Sequence, residues 1–340
     1  MTQGRVTLRD VAHHVGVHPS TVSRALNPET RHMVTEEIAA KVSEAAQSLG
    51  YRPNPMAYSL KTNRSLTVGV IIPDLTNPLF PPIIRGIEDV LGMHGYTAVI
   101  ANTDNDFDRE EIILDRMWAR RVDGLILATA RRNDPLLAEY RAEGVPLVLV
   151  NRDVDDHSIR SVINDDAGGI HLAIAHLAGL GHRRIADIAG PQALSTGFLR
   201  HQAYRDAMGA EGLEIDDRLI MFCDAYSIES GRRQMSGLLA SRRDFTAALA
   251  GNDLIALGCY DALREAGLSC PQDVSIVGFN DMPFIDKMAP PLTTVRIRHY
   301  DIGAEAARAL LSEIDNGTEK SVAQIRLPCE LIVRGSTASV

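Results

Sequence analysis

The chain has 340 residues, too many for one hydrophobic core, so two or three domains are expected. Hydrophobic residues make up 45% and charged residues 23% of the sequence, which excludes a disordered or fibrous chain. The longest apolar runs fall short of the roughly 18 residues that a membrane span needs. No secretory signal is recognised at the start, and we therefore expect a cytoplasmic protein.

Charge is distributed unevenly along the sequence. The formal net charge is −9, yet residues 1–64 carry eight basic and five acidic side chains, which leaves −12 on the remainder. A basic segment in front of an acidic body is typical of a DNA-contacting head. The four cysteines (Cys223, Cys259, Cys270 and Cys329) form no CxxC pair, so neither a disulfide framework nor a zinc site is predicted. We expect no metal and no cofactor.

The first 50 residues predict three short helices. Apolar residues at a 3–4 spacing indicate a helix over Leu8–Val15, which Gly16 ends. A second helix runs from position 19 or 20 to 26, and a third covers about 35–49, starting at a Thr cap. This arrangement is typical of a helix-turn-helix, although a plain three-helix bundle would have the same apolar pattern.

A linker follows the three helices. Two prolines within residues 51–63 disfavour helical geometry before themselves. The stretch that follows them allows about two helical turns, too few to be stable alone. We therefore predict a helical head at 1–52, a hinge linker with a short helix at 53–64, and a larger domain at 65–340.

In the larger domain, aliphatic runs alternate with amphipathic stretches. The runs, which are typical of strands buried on both faces, lie at 66–72, 97–101, 125–128, 147–150, 185–189, 247–250 and 275–278. The amphipathic stretches, which are typical of helices, include 82–91, 110–120, 169–177 and 254–266. Strands that alternate with helices predict parallel sheets in an α/β fold. The sheets form either two doubly wound lobes or one closed barrel.

Motifs along nearly the whole chain resemble those of the LacI/GalR family of transcriptional regulators. In the head and hinge these motifs are 6–12 (VTLRDVA), 16–17 (GV), 20–27 (STVSRALN), 49–51 (LGY), 53–54 (PN) and 57–61 (AYSLK). In the larger domain they are 68–73 (VGVIIP), 77–78 (NP), 121–126 (RVDGLI), 181–182 (GH), 251–253 (GND), 271–279 (PQDVSIVGF) and 292–295 (LTTV). The resemblance implies a helix-turn-helix head, a hinge helix and two α/β lobes like those of periplasmic binding proteins. It also implies a homodimeric repressor that binds a palindromic operator and responds to a small sugar-like effector.

The same resemblance implies which head residues contact DNA. Pro19 and Ser20 match the family's main specificity positions, and Arg24, one turn later, is able to pair bidentately with guanine. Other polar positions are suited to phosphate contacts, which orient the head without specifying sequence. These positions are Thr7, His18, Thr21, Ser23 and Asn27. Helix capping is the alternative role for Thr7 and Ser23.

In the hinge, the resemblance assigns DNA contacts to Ala57, Leu60 and Lys61. An apolar wedge at Leu60 is suited to unstack a base step in the minor groove and kink the duplex. The alternative role of Leu60 is a core contact with the larger domain. Because the hinge helix is marginal alone, we expect DNA binding to require a dimer. The sequence after Arg334 is short and lacks leucine heptads, so a dimer is also the expected oligomer.

The resemblance implies an effector pocket between the two lobes, at positions that follow strand ends or open helices. Transferred one at a time, the pocket positions of the first lobe are Asn77, Leu79, Phe80, Asn151 and Arg152. Those of the second lobe are Thr196, Arg200, Tyr226, Asn252, Asn280 and Arg296. The aromatic rings are suited to stack on a sugar ring, and the Asn and Arg side chains to bind hydroxyls or carboxylates.

Two pocket positions depart from the family's sugar binders. Many relatives have an acid at the position of Asn280 and a neutral amide at that of Arg296. This exchange makes the pocket more cationic and predicts an anionic effector, such as a sugar acid or a sugar phosphate. In the alternative interpretation Arg296 points to solvent or pairs with an acid such as Asp301.

Enzyme and transport functions are less well supported by the sequence. A periplasmic transport receptor would share the two lobes, but it has no use for a DNA-binding head. A hydrolase or sugar kinase needs a nucleophile motif or a phosphate loop, and the sequence has neither GxSxG nor a P-loop. The histidines His171 and His176 are five residues apart, which does not align two metal ligands on one helix face. We therefore expect no enzymatic activity.

Overall fold

The computed structural model describes residues 6–27, 30–51, 64–317 and 324–340. It divides into two compact units, Met1–Ser65 and Leu66–Val340, here called the head and the body. The predicted hinge helix, with Ala57, Leu60 and Lys61, lies outside the described residues.

The head consists of three helices around a small apolar core. They are α1 (Leu8–Val15), α2 (Pro19–Leu26) and α3 (Glu36–Ser48), with a short 3₁₀ helix at Arg31–Met33. Gly16 adopts φ 72°, the left-handed conformation in which its amide donates to carbonyls of the last turn of α1. At the start of α3, the Thr35 hydroxyl accepts a hydrogen bond from Ile38 N. The predicted helix-turn-helix is therefore confirmed in its element order and boundaries.

The first lobe of the body is built on a parallel six-stranded sheet in the order β11-β5-β4-β3-β1-β2. Its strands are β1 (Thr67–Ile72), β2 (Thr97–Asn102), β3 (Gly124–Leu127), β4 (Leu147–Val150), β5 (Arg160–Asn164) and β11 (Gln324–Leu327). Helices α4 (Phe80–Met93), α5 (Phe107–Ala119) and α6 (Pro135–Ala142) connect the first four strands. Strand β2 lies at the edge of this sheet, and its Val99 and Ile100 are more than one-third exposed.

The second lobe repeats this architecture in the order β12-β10-β9-β8-β6-β7. Its strands are β6 (Ile185–Ala189), β7 (Ile220–Phe222), β8 (Ala247–Ala250), β9 (Ser275–Asn280), β10 (Thr293–Arg296) and β12 (Glu330–Ile332). Its helices are α7 (Asp166–Gly179), α8 (Ser195–Ala210), α9 (Ile228–Ser241) and α10 (Asp253–Glu265). Short 3₁₀ helices lie at Asp217–Leu219 and Ile285–Lys287. The strands run parallel except for β12, which is antiparallel to β10.

The chain passes between the lobes at three places in the described residues. After β5 it enters the second lobe, where α7 packs against α8. After β10 it returns to the first lobe as α11 (His299–Asn316), which packs against α4. Between β11 and β12 it crosses once more. The body therefore has two open, doubly wound sheets and not a closed barrel, and the carboxyl ends of strands from both sheets border one cavity.

Candidate functional site

The second helix of the head presents a polar N-terminal end. Pro19 occupies the first helical turn, and the His18 ring caps the helix, with Nδ1 3.2 Å from Ser20 N and 2.8 Å from Ser20 Oγ. Ser20 and Arg24, one turn apart, are exposed, and the guanidinium of Arg24 has no partner within the described residues. Donors and acceptors are thus presented along one side of α2, as reading of base edges requires.

The other predicted DNA-contacting positions of the head are at least partly accessible. His18 and Thr7 are exposed, whereas Pro19, Thr21, Ser23 and Asn27 are half-buried; all of these lie in the described residues. Thr7 also forms a capping box, because Asp10 N donates to its hydroxyl and Thr7 N donates to Asp10 Oδ2 over 2.7 Å. The alternative role of Thr7 as a helix cap is therefore present, and capping leaves its side chain on the surface.

A cavity of about 400 Å³ lies where strand ends of the two lobes meet. It is lined by ten of the eleven positions that the resemblance assigned to the pocket. These are Asn77, Leu79, Phe80, Asn151, Arg152, Thr196, Arg200, Tyr226, Asn252 and Asn280. Additional lining comes from Asp74, Thr103, Asp104, Glu110, Thr129, Arg131 and Asp224, none of which sequence reasoning had selected. The volume is in the range of small-molecule sites.

Arg152 is a buried, charged side chain on the first-lobe wall of the cavity. It follows β4 and is 6% exposed, and its Nη1 donates to Thr129 O over 3.2 Å. Within the described residues it forms no ion pair, and burial lowers the pKa of its guanidinium to about 10. Buried arginines are normally paired. An unpaired guanidinium that lines a cavity is therefore a candidate binding group for an anion or for several hydroxyls.

Glu110 lies near Arg152 and was missed by the sequence analysis. It is 4% exposed, its carboxylate is hydrogen-bonded to the Thr129 hydroxyl, and burial raises its pKa. A sequence signal existed, because Glu110 shares the buried face of α5 with Leu114 and Met117 at helical spacing. A carboxylate on an apolar helix face is unusual unless it has a buried partner.

On the second-lobe wall, the buried arginine is paired. Arg200 Nε donates to Asp166 Oδ1 over 2.9 Å and its Nη1 donates to Gly251 O over 2.8 Å. Its guanidinium stacks over the Phe279 ring, 3.7 Å from the ring centre. Arg200 is thus held in place and neutralised by its own lobe, and it also lines the cavity.

Polar side chains beside Arg200 supply hydrogen-bonding groups of both kinds. The Tyr226 hydroxyl donates to Thr196 Oγ1 over 3.0 Å, and Asn252 caps α10 through its Oδ1, which leaves its amide free to donate. Asn280, at φ 115°, has a buried Oδ1 with no hydrogen-bond partner among the described residues, and the same holds for Thr103 Oγ1 on the first lobe. Buried acceptors of this kind are costly unless a ligand or water satisfies them.

The expected place of Arg296 in the pocket is wrong. Arg296 is not among the described residues that line the cavity; its side chain is 46% exposed and its Nε donates to Asp281 Oδ2 over 2.7 Å. The strand register explains this ion pair. In the parallel pairing of β10 with β9, Arg296 lies opposite Asn280, and Asp281 directly follows Asn280 in the sequence. The alternative interpretation, pairing with an acid, holds, but the acid is Asp281 and not Asp301.

The described part of the chain has neither a metal-binding cluster nor a helix suited to span a membrane. Its residues include no group of three or more histidine, cysteine or acidic side chains placed to hold a metal ion. None of its helices is both long enough and apolar enough to cross a membrane.

Comparison with known proteins gives matches over the head and most of the body. A family model for bacterial regulatory proteins of the lacI family matches residues 7–54, and one for a periplasmic binding protein-like domain matches 174–337. The chain is 33% identical over 335 residues to the HTH-type transcriptional repressor CytR of Escherichia coli K12, covering 98% of this chain and 97% of that protein.

Two solved structures match nearly the whole chain. The lac repressor dimer bound to operator and the anti-inducer ONPF has a TM-score of 0.86 at 28% identity, and covers 98% of this chain and 100% of its own. The complex of the transcriptional regulator CelR with cellobiose has a TM-score of 0.75 at 32% identity, with the same coverage. Head and body thus both have counterparts in these proteins.

Proposed function

This chain belongs to the LacI family of bacterial transcriptional regulators, which are not enzymes, and from that premise we propose that it is a homodimeric, cytoplasmic repressor. Its two heads bind the half-sites of a palindromic operator, and a small polyhydroxylated effector in the body cavity controls that binding. We further propose that the effector carries a carboxylate or phosphate.

The DNA-binding part of the proposal is supported by α2. Ser20 and Arg24 are exposed one turn apart, and Arg24 is uncompensated by any acid of the described residues. Arginine pairs bidentately with guanine, which is worth about 1–3 kcal/mol of discrimination against other bases. His18, Thr7, Thr21, Ser23 and Asn27 surround this helix as candidate phosphate contacts. The solved lac repressor was bound to its operator as a dimer, which is the arrangement proposed here.

Exposed apolar side chains on the body support a homodimer. Phe284 is 78% exposed at φ 71°, and Ile228 and Met288 of the same lobe are also more than one-third exposed. On the first lobe, Val99 and Ile100 lie along the edge strand β2. Monomeric proteins rarely leave clustered apolar side chains in water. A second copy of the chain is the partner that closed twofold symmetry provides most simply.

Arg152 is the observation that carries the effector proposal. Its buried guanidinium is unpaired and lines the cavity, and Arg131 adds a second cation to the same wall. A carboxylate or phosphate between them would form charge-assisted hydrogen bonds. The unpartnered oxygens of Asn280 and Thr103 would accept from hydroxyls of the same ligand. With Arg296 outside the cavity, the anion-binding group is thus proposed to lie on the first lobe. The cellobiose complex of CelR is an example of a related protein with a sugar ligand.

Operator binding is testable without knowledge of the target genes. Selection from random duplexes by the full-length protein should enrich a palindrome, and the logarithm of its binding constant should fall steeply with the logarithm of salt concentration. Arg24→Ala should relax specificity at one base pair in each half-site, whereas Arg205→Ala, in an exposed ion pair with Asp217, should not. Enrichment of no palindrome over bulk DNA would overturn the proposal.

The effector class is testable by calorimetric screening of the full-length protein. The panel would pair sugar acids and sugar phosphates, such as gluconate, glucuronate and glucose 6-phosphate, with neutral sugars such as glucose, ribose and cellobiose. We expect at least one anionic member to bind more than tenfold tighter than its neutral counterpart. Tight binding of a neutral sugar, with weaker binding of every acid, would refute the anionic effector while leaving the operator proposal standing.

A further inference from the structure

Arg132 contacts both lobes at the rim of the cavity. It follows β3 of the first lobe, yet its guanidinium lies 3.5 Å from the centre of the Phe198 ring on α8 of the second lobe. Its Nη1 donates to Gln192 O over 3.3 Å, and its backbone N donates to Ala193 O over 3.0 Å. One residue therefore makes a stacking contact, a side-chain hydrogen bond and a backbone hydrogen bond across the gap between the lobes.

The first lobe fixes the orientation of this guanidinium. Asp155 accepts from Arg132 Nε and Nη2, each over 2.9 Å, and Asp155 N donates to Arg132 O over 2.8 Å. Such a bidentate pair holds the flat guanidinium in one plane. Because one face of that plane rests on Phe198, the geometry suits arginine and not lysine.

Residues that adjoin or contact Arg132 line the cavity on both lobes. Arg131, its neighbour in sequence, lines the cavity from the first lobe. Ala193, which accepts its backbone hydrogen bond, lines the cavity from the second lobe together with Leu194 and Thr196. Arg132 is not itself among the described lining residues. It thus joins the two walls from outside the site.

We propose that Arg132 is a positioning residue that clasps the lobes over the cavity and thereby sets the affinity of the effector site. A ligand that contacts both lobes binds the arrangement in which the lobes are held together. Its apparent affinity therefore falls by the same factor as the population of that arrangement. The effector role of the cavity rests on the proposed function, whereas the clasp itself consists of contacts within the protein.

The clasp is testable by hydrogen exchange of the full-length protein without any ligand, read at single-residue resolution by mass spectrometry. The backbone amide of residue 132 donates to Ala193 O of the other lobe. This amide is present in every side-chain variant, so its exchange can be compared between them. Its exchange should become about tenfold faster in Arg132→Ala, Arg132→Lys and Phe198→Ala. The bond from Asp153 N to Ser195 Oγ, a second cross-lobe contact at 2.9 Å, is left intact by these variants.

The matched control is Arg205→Ala, because the ion pair of Arg205 with Asp217 lies within the second lobe. Its exchange rate at position 132 should equal that of the wild type. Unchanged protection in Arg132→Ala and Phe198→Ala would overturn the clasp, and so would equal protection in Arg132→Lys and the wild type.

A second readout links the clasp to the site. With gluconate as the probe, Arg132→Ala and Phe198→Ala should weaken binding about tenfold, and Arg205→Ala should not. If exchange accelerates but neither gluconate nor any other sugar acid or sugar phosphate of the panel binds the wild type, the clasp stands and the proposed effector class fails. If gluconate binds equally well to the wild type and to the variants with accelerated exchange, the proposed role of Arg132 in affinity is overturned.

Discussion

The two walls of the cavity treat a buried arginine in opposite ways. On the second lobe, Arg200 is paired with the buried carboxylate of Asp166 and stacked on Phe279. On the first lobe, Arg152 is equally buried but has a single backbone carbonyl as its hydrogen-bond partner in the described residues. The first charge is satisfied by the protein, whereas the second has no ion-pair partner in the described residues. Burial alone is therefore not our criterion for a candidate binding arginine; burial without an ion-paired carboxylate is.

The largest effect, a loss of stability, should come from breaking the buried ion pair between Arg200 and Asp166. Arg200→Met leaves Asp166 buried without its counter-ion, which should destabilise the body by about 3–5 kcal/mol. Denaturant unfolding of the full-length protein measures this change. Asp166→Asn combined with Arg200→Met should recover part of the loss, because the orphaned charge is removed. A loss below about 1 kcal/mol in Arg200→Met would show that the pair is not a structural one.

Substitution of Arg152 should weaken effector binding and leave the stability of the protein nearly unchanged. Arg152→Met removes a buried cation that forms no ion pair within the described residues, so stability should stay within about 1 kcal/mol of the wild type. Binding of the best anionic effector should weaken by about 10- to 100-fold, because hydrogen bonds to a charged group contribute about 1.5–3 kcal/mol. Calorimetry and denaturant unfolding on one preparation separate the two effects. Strong destabilisation with unchanged ligand affinity would reverse the assignment.

The ionisation of Glu110 should change the affinity for an anionic effector on the Arg152 side of the cavity. Burial raises the pKa of this carboxyl, so lowering the pH protonates it sooner than an ordinary glutamate and removes a negative charge near Arg152. Anionic effectors should therefore bind more tightly as the pH falls through the raised pKa of Glu110. Glu110→Gln should strengthen binding at neutral pH by on the order of 1 kcal/mol, or about fivefold, and flatten this pH dependence. Affinity that falls in Glu110→Gln would show instead that the carboxylate accepts from the ligand.

The smallest effect is expected at Arg296. Its ion pair with Asp281 lies outside the described cavity lining, and Asp281 keeps its second partner, Arg334, when Arg296 is removed. Arg296→Ala should change effector affinity by less than about twofold, and it serves as the charge-matched control for Arg152→Met. A tenfold loss would return Arg296 to the site.

Much of the fold was predictable because its elements are local. The helices of the head end at Gly16 and begin at caps such as Thr35, and the buried strands β4, β6 and β8 coincide with the predicted aliphatic runs. Strands β5 and β10 were missed because polar residues interrupt them. Thr294, for example, is buried in β10 only because its hydroxyl donates to Asp253 over 2.5 Å. No local pattern reveals such a tertiary partner.

The cavity was predictable as a set of positions but not as a charge arrangement. The positions were implied by the family resemblance, and they follow strand ends or open helices, where ligands lie in open α/β sheets. The pairing of Arg296 with Asp281 depends on strand register, and the isolation of Arg152 depends on which carboxylates the fold brings near it. The expected cationic pocket therefore rested on the wrong arginine. The contacts of Arg132 with Phe198 join residues 66 positions apart on different lobes, and these also have no sequence signal.

The coupling of effector to operator in one titration tests the central claim most directly. Binding of the full-length protein to its selected palindrome would be followed by fluorescence anisotropy, with and without a saturating concentration of the best anionic ligand. The account predicts a change of about tenfold in operator affinity for the wild type, corresponding to a coupling free energy of about 1.4 kcal/mol, and little change for Arg152→Met at the same ligand concentration. An operator affinity that is indifferent to the ligand in the wild type, or that shifts equally in Arg152→Met, would contradict it.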